Sequence, residues 1–176
     1  MVAEYKRCTV DRMAGKAQIS YDNARYALTR SKWPSLNQLN DVRLDRICAH
    51  RATAPKKENC ANVFDDTNNP KRYARKTEGV AYQHCGVTGD VEKCLTTVFA
   101  TYSAPDKHFP IYAQTYRVAD DFPLGEADPN FRSKIDIVIN FVHRLARDPR
   151  FPTTDVVDCW YMSAKLISLE EALGRT

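Results

Sequence analysis

The amino-acid sequence predicts a small all-α N-terminal segment followed by an α/β domain, a mixed sheet with flanking helices. Three observations lead there. Residues 9–47 carry apolar side chains at helical spacing between capping and stop signals. Residues 61–118 change to short runs rich in β-branched and aromatic residues, separated by turn residues. Residues 132–169 then read helix, short strand, helix, which adds a crossover to an antiparallel meander.

The front is the helical part. Thr9 is able to cap a first short helix, and Gly15 marks its expected stop. Ser20 caps a second, Tyr21 to Arg30, so that helix, glycine-containing turn and capped helix have the outline of a helix-turn-helix. A third helix follows Pro34-Ser35, with Leu36, Leu39, Val42 and Ile47 as its apolar stripe. A plain helical bundle accounts for this pattern too. Arg25, Arg30 and Lys32 on and after the second helix give the DNA-binding reading its basis. Residues 1–57 hold 12 Lys/Arg against 5 Asp/Glu, whereas the whole chain has a net charge of only +4, so the basic charge is concentrated in front. Residues 52–59 read as a linker, which divides the chain into a helical segment, 1–57, and a second domain, 58–176.

In the second domain the expected strands are Ala61 to Asp66, Gly79 to Cys85, Cys94 to Tyr102, and a fourth opening at Phe109, placed at an edge by Pro110. Residues 120–130 form a loop. The clearest helix runs from Arg132 to Arg147, with Ile135, Val138, Ile139, Val142 and Leu145 on one face. Thr154 to Asp158 reads as a short buried strand, and Ser163 opens a last helix.

Hydrophobic residues make up 43% of the chain and charged residues 27%, which excludes wholesale disorder. No apolar run approaches the roughly 20 residues of a membrane span, and the start lacks the apolar core of a signal peptide. A cytoplasmic, nucleoid-associated protein is expected. The six cysteines, at 8, 48, 60, 85, 94 and 159, include no C-x-x-C pair and read as reduced, buried small hydrophobes.

Two aspartates sit at matching places, Asp66 and Asp158, each after a short apolar run at an expected strand end. Carboxylates so placed converge at a sheet edge, and Mg²⁺ or Mn²⁺ favours such hard oxygen ligands. A basic loop with Lys71, Arg72, Arg75 and Lys76 follows Asp66, suited to DNA phosphates.

These landmarks together resemble the DDE transposases of insertion sequences, of the IS-four and IS-seven-oh-one types. They are Val63-Phe64-Asp65-Asp66-Thr67, the Pro70-Lys71 loop, Gly79-Val-Ala-Tyr-Gln-His-Cys85, Phe109-Pro110-Ile111, and Val156-Val157-Asp158-Cys159-Trp160-Tyr161. The resemblance covers about residues 9–170. It implies an RNase H-like fold, a two-metal Mg²⁺ or Mn²⁺ site, and cleavage and joining of DNA at terminal inverted repeats. By carry-over Asp66, immediately before Thr67, matches the first catalytic and metal-binding aspartate, with Asp65 the competing choice; Asp158 matches the second. The family's third acid, a Glu, lies well beyond the second Asp. Here Glu170 and Glu171 are the only glutamates after Asp158, and both read as solvated helix surface. The expectation is therefore a core incomplete at its C-terminus, inactive alone, with apolar surface left for self-association. The two other readings are a non-catalytic DNA-binding remnant or repressor, and a compact RNase H-type nuclease using Glu170.

Overall fold

In a computed structural model, which describes residues 10–176, the chain divides into two compact units between Leu39 and Asn40. Thr9 and Cys8 lie outside the described residues. The first unit contains α1 (Val10–Ala17), α2 (Tyr21–Arg30) and the opening of α3 (Leu36–Ala49). Gly15 does not stop α1. Gln18 does, at φ +54°, as its amide reaches the Gly15 carbonyl and the Ile19 amide the Ala14 carbonyl, the paired bonds of a Schellman end. Ser20 caps α2 as expected, its Oγ accepting from the Asn23 amide at 3.2 Å. Among the described residues of these two helices, the small side chains Ala14 and Ala24 are buried.

The second unit is a mixed α/β arrangement built on five strands. These are β1 (Ala61–Pro70), β2 (Val80–Cys85), β3 (Asp90–Ala104), β4 (Lys107–Thr115) and β5 (Asp155–Val157). The 15-residue β3 is its spine. Its first half pairs with β2 and its second half with β4, while β1 runs antiparallel along its other edge. β5 then joins the far side of β1 in parallel. That parallel pairing requires a crossover, supplied by α4 (Lys134–Ala146). The last helix, α5 (Ala164–Ala172), follows a single 3₁₀ turn at Cys159–Tyr161.

Alternation along β3 shows where the core lies. Cys94, Thr96, Val98, Ala100, Tyr102 and Ala104 are buried, and the residues between them are half-buried. Against the buried face α4 sets Ile137, Val138, Phe141, Val142 and Leu145, with Phe141 stacked on Tyr112 at 5.5 Å. Ile137 and Phe141 widen the stripe expected from periodicity. Ser133 and Asp136 close a capping box over the helix start.

Two expectations change. The apolar stripe of α3 is rotated: Val42 is exposed and Leu44 takes the core position. The reason is polar. A β-bulge at Ala100/Thr101 takes Ile111 out of the ladder, and its carbonyl accepts from Asn40 Nδ2 at 2.9 Å and Arg43 Nη2 at 3.0 Å. Those two residues fix the face that α3 turns inward. The second change is β5, which is not buried: Val156 is exposed, and only Val157 packs on the core. Instead β5 is clamped from behind. Arg175 and Asp155, both almost fully buried, pair at 2.5 and 2.7 Å, and Asn62 Nδ2 adds a third donor at 2.7 Å. The Thr176 backbone brackets the same segment, donating to Thr153 and accepting from Asp155.

Candidate metal and nucleic-acid site

β1 continues four residues past Asp66, so Asp66 lies within the strand, not at its end. The extension is locally stabilised: Pro70 is the final residue, and Asn68 Nδ2 donates to Thr96 Oγ1 at 2.7 Å while its Oδ1 accepts from the Gly86 amide. The alternation of β1 puts Asn62, Phe64 and Asp66 on the covered face and exposes Asp65 on the other. The Asp65 carboxylate turns back to accept from the Asp66 amide at 2.8 Å.

Asp66 is held by two side chains. Lys134 Nζ, in the first turn of α4, lies 2.7 Å from Oδ2, and the Tyr161 hydroxyl donates to Oδ1 at 2.9 Å. The Lys134 and Asp66 side chains are each less than one-fifth exposed. The ammonium also lies 5.7 Å from the Tyr116 ring centre and 5.4 Å from that of Trp160. Tyr161 is buried, and burial together with the Asp66 carboxylate pushes its phenol far above the ordinary range. It therefore stays a neutral donor at every working pH, which fixes the orientation of Asp66.

Asp158 reaches the same neighbourhood by a different route. Register pairs Phe64 with Val157, so Asp158 is level with Asp65, one step from Asp66, where β5 leaves the sheet. There its backbone carbonyl accepts from the Tyr161 amide at 2.9 Å. The Cys159 thiol and the Trp160 amide hold the exposed carboxylate below its usual range. Asp65, Asp66 and Asp158 all act electrostatically on the Tyr161 phenol. Tyr161 is thus the element common to both strand segments.

Hard carboxylate oxygens at adjacent strands fit Mg²⁺ or Mn²⁺ in kind. Among the described residues no group of three or more His, Cys, Asp and Glu is assembled, and both Asp66 oxygens already have a hydrogen-bond donor. Each oxygen keeps a second lone pair, so the donor set still fits a cation. Glu170 is half-buried on α5, its carboxyl raised by burial and then by nearby Asp155, not the solvated surface expected; Glu171 is exposed.

The basic residues fall in two places. On and after α2, Arg25, Arg30 and Lys32 are all exposed. In the connection from β1 to β2, Lys71 begins five residues past Asp66, a separation of roughly 17 Å along an extended strand. That is about five base-pair steps of duplex, so the loop is not adjacent to Asp66 as its sequence position suggests. Arg72 is tied to Glu92 at 2.6 Å; Arg75, Lys76 and the almost fully exposed Tyr73 face solvent.

Lys134 and Tyr161 escape pattern reading, but Lys134 leaves one signal. A cation in the first turn of a helix opposes the helix dipole, and Lys134 directly follows the Ser133 cap. An acid waiting for it is the simplest resolution. Cys48, Cys60, Cys85, Cys94 and Cys159 are free thiols, two of them buried. Among the described residues no helix is long and apolar enough to cross a membrane.

A family model described as DDE superfamily endonuclease matches residues 1–174. No curated protein and no solved structure matches the chain significantly.

Proposed function

The chain belongs to the DDE superfamily endonuclease family, and from that premise we propose that it serves metal-dependent cleavage and transfer of DNA strands at insertion-sequence ends, with Asp66 and Asp158 as its metal-binding carboxylates. The observation that carries the reading is Tyr161, in the turn after β5, whose hydroxyl donates to Asp66 and whose amide donates to the Asp158 carbonyl, so that one residue joins the two segments that bear the acids. In this proposal the sheet is the RNase H-like core of a DDE transposase. A pair of divalent cations, when bound, activates the attacking oxygen and stabilises the leaving one. Tyr161 orients Asp66, and β5 carries Asp158 to it. Lys71, Arg72, Arg75 and Lys76 contact phosphates about five base pairs from the acids. Two carboxylates leave coordination positions that a third oxygen ligand would fill, so turnover by this pair alone is slow.

The test is a cleavage and strand-transfer assay on matching terminal inverted repeats with Mg²⁺ or Mn²⁺. Weak metal-dependent nicking that disappears in Asp66→Asn and Asp158→Asn supports the proposal. Nicking that survives both substitutions overturns it.

A second reading, DNA binding without catalysis, is favoured by the exposed basic side chains of α2. It predicts salt-dependent binding to inverted-repeat DNA that depends on Arg25 and Arg30 and is indifferent to Asp66. Self-association is proposed through the apolar side chains exposed from β5 to α5, Val156, Met162 and Ile167 among them. A concentration-independent monomer in sedimentation would remove that part.

A further inference from the structure

Lys134 sits where a divalent cation would have to arrive. Its ammonium is 2.7 Å from Asp66 Oδ2, and the pair is largely shielded from water. The other Asp66 oxygen accepts from the Tyr161 hydroxyl, a donor that brings no positive charge. A lysine that served only to pin α4 would need nothing more than the carboxylate. Here the ammonium also faces two aromatic rings, Tyr116 from the segment after β4 and Trp160 from the turn after Asp158, at 5.7 and 5.4 Å. Cation–π attraction gives it a second place to rest. The α4 start is secured independently by the Ser133–Asp136 capping box, so the helix does not depend on the ion pair.

We propose that Lys134 is a resident cation of the Asp66 carboxylate that competes with the divalent metal for it, a positioning residue that keeps the carboxylate ordered and withdraws onto the Tyr116 and Trp160 rings when metal enters. This rests on Asp66 being a metal ligand. Two cations at one carboxylate repel in a partly shielded site, where charge interactions exceed their value in water. Removing Lys134 therefore tightens metal binding, by about tenfold or more. Removing Asp66 abolishes it.

The experiment is direct Mn²⁺ binding to the full chain, read from the electron paramagnetic resonance of the free ion. It compares the native protein with Lys134→Met, Lys134→Gln, Lys134→Arg and Asp66→Asn. Binding that is about tenfold tighter in Lys134→Met, stays weak in Lys134→Arg and is lost in Asp66→Asn supports the proposal. If Mn²⁺ binding depends on Asp66 but is equal or weaker in Lys134→Met, Lys134 is a structural partner and the proposal fails while the metal reading stands. If Asp66→Asn binds Mn²⁺ like the native protein, the metal reading fails and takes the proposal with it. Lys134→Gln keeps a polar group over the rings and provides the same comparison should the methionine variant not fold. In the native protein, adding diamagnetic Mg²⁺ moves the Lys134 Cε–Hε NMR signal; an unmoved signal at saturating Mg²⁺ contradicts the withdrawal.

Discussion

Substituting Arg175 by Met tests how β5, and with it Asp158, is held. The guanidinium gives Asp155 two hydrogen bonds, from Nε at 2.5 Å and Nη2 at 2.7 Å, and Nη2 also donates to the Pro152 carbonyl at 3.0 Å. The side chains of the pair are 3% and 1% exposed, so solvent screening is slight. Without Arg175, Asp155 keeps only the Asn62 amide donor among these side chains. An uncompensated buried charge of this kind costs about 3–5 kcal/mol. In a protein of this size that corresponds to a melting point lower by roughly 6–20 °C. The assay is urea unfolding followed by circular dichroism and by the fluorescence of Trp160, which lies beside β5. Replacing both partners, Arg175→Met with Asp155→Leu, recovers most of the loss, because no charge is left stranded. A loss below about 1 kcal/mol in the single variant would overturn this explanation and mean that water reaches Asp155.

Other expectations follow from particular side chains. Burial raises the Glu170 carboxyl, so its ionisation opposes folding: the stability it allows is complete below the unfolded carboxyl range and declines as pH rises through the raised value. Glu170→Gln should therefore raise the melting point at pH 7.5 and leave it unchanged near pH 4; equal effects at both would be wrong for this cause. Asp136 shows the opposite sign, since the Lys165 ammonium 2.6 Å away and the Ser133 hydroxyl hold it below its usual range. Its contribution is present above the unfolded value and fades as pH falls through the depressed one, so Asp136→Asn loses stability at pH 7 and little at pH 3, measured by thermal melts. Ser133→Ala should cost about 1 kcal/mol through the missing cap of α4, whereas Ser133→Thr, which keeps the hydroxyl that caps the helix and donates to Asp136, should cost much less. Replacing Arg25 and Arg30 together by Ala should lower the slope of log affinity against log salt by about 0.9 for each phosphate no longer neutralised, and an unchanged slope would place DNA elsewhere.

Much of the architecture was legible because it rests on local rules. The Ser20 and Ser163 caps, the α4 stripe and the β-rich run each require only neighbours in sequence. The order of strands, then helix, then strand also implied a crossover and so a mixed sheet, which β5 on β1 realises. What escaped is non-local. The turn of α3 is decided by the Ile111 carbonyl freed at a bulge some 70 residues away. Asp66 reads as a strand end because Asp65-Asp66-Thr67-Asn68-Asn69 is poor in strand formers, yet pairing with β3 carries the strand on to Pro70. Tyr161 and Lys134 were illegible as site residues because nothing in a tyrosine or a lysine announces a carboxylate brought from 95 or 68 positions away.

Asp66 and Asp158 must bind metal together if the proposed chemistry is right. Ferrous iron in place of Mg²⁺, with ascorbate and peroxide, cuts backbone within a few ångströms of where it binds. Cuts confined to the segments around Asp66 and Asp158–Tyr161, both lost in Asp66→Asn, are expected. Cuts at only one segment, or a pattern unchanged by Asp66→Asn, would show that the two carboxylates do not share a metal.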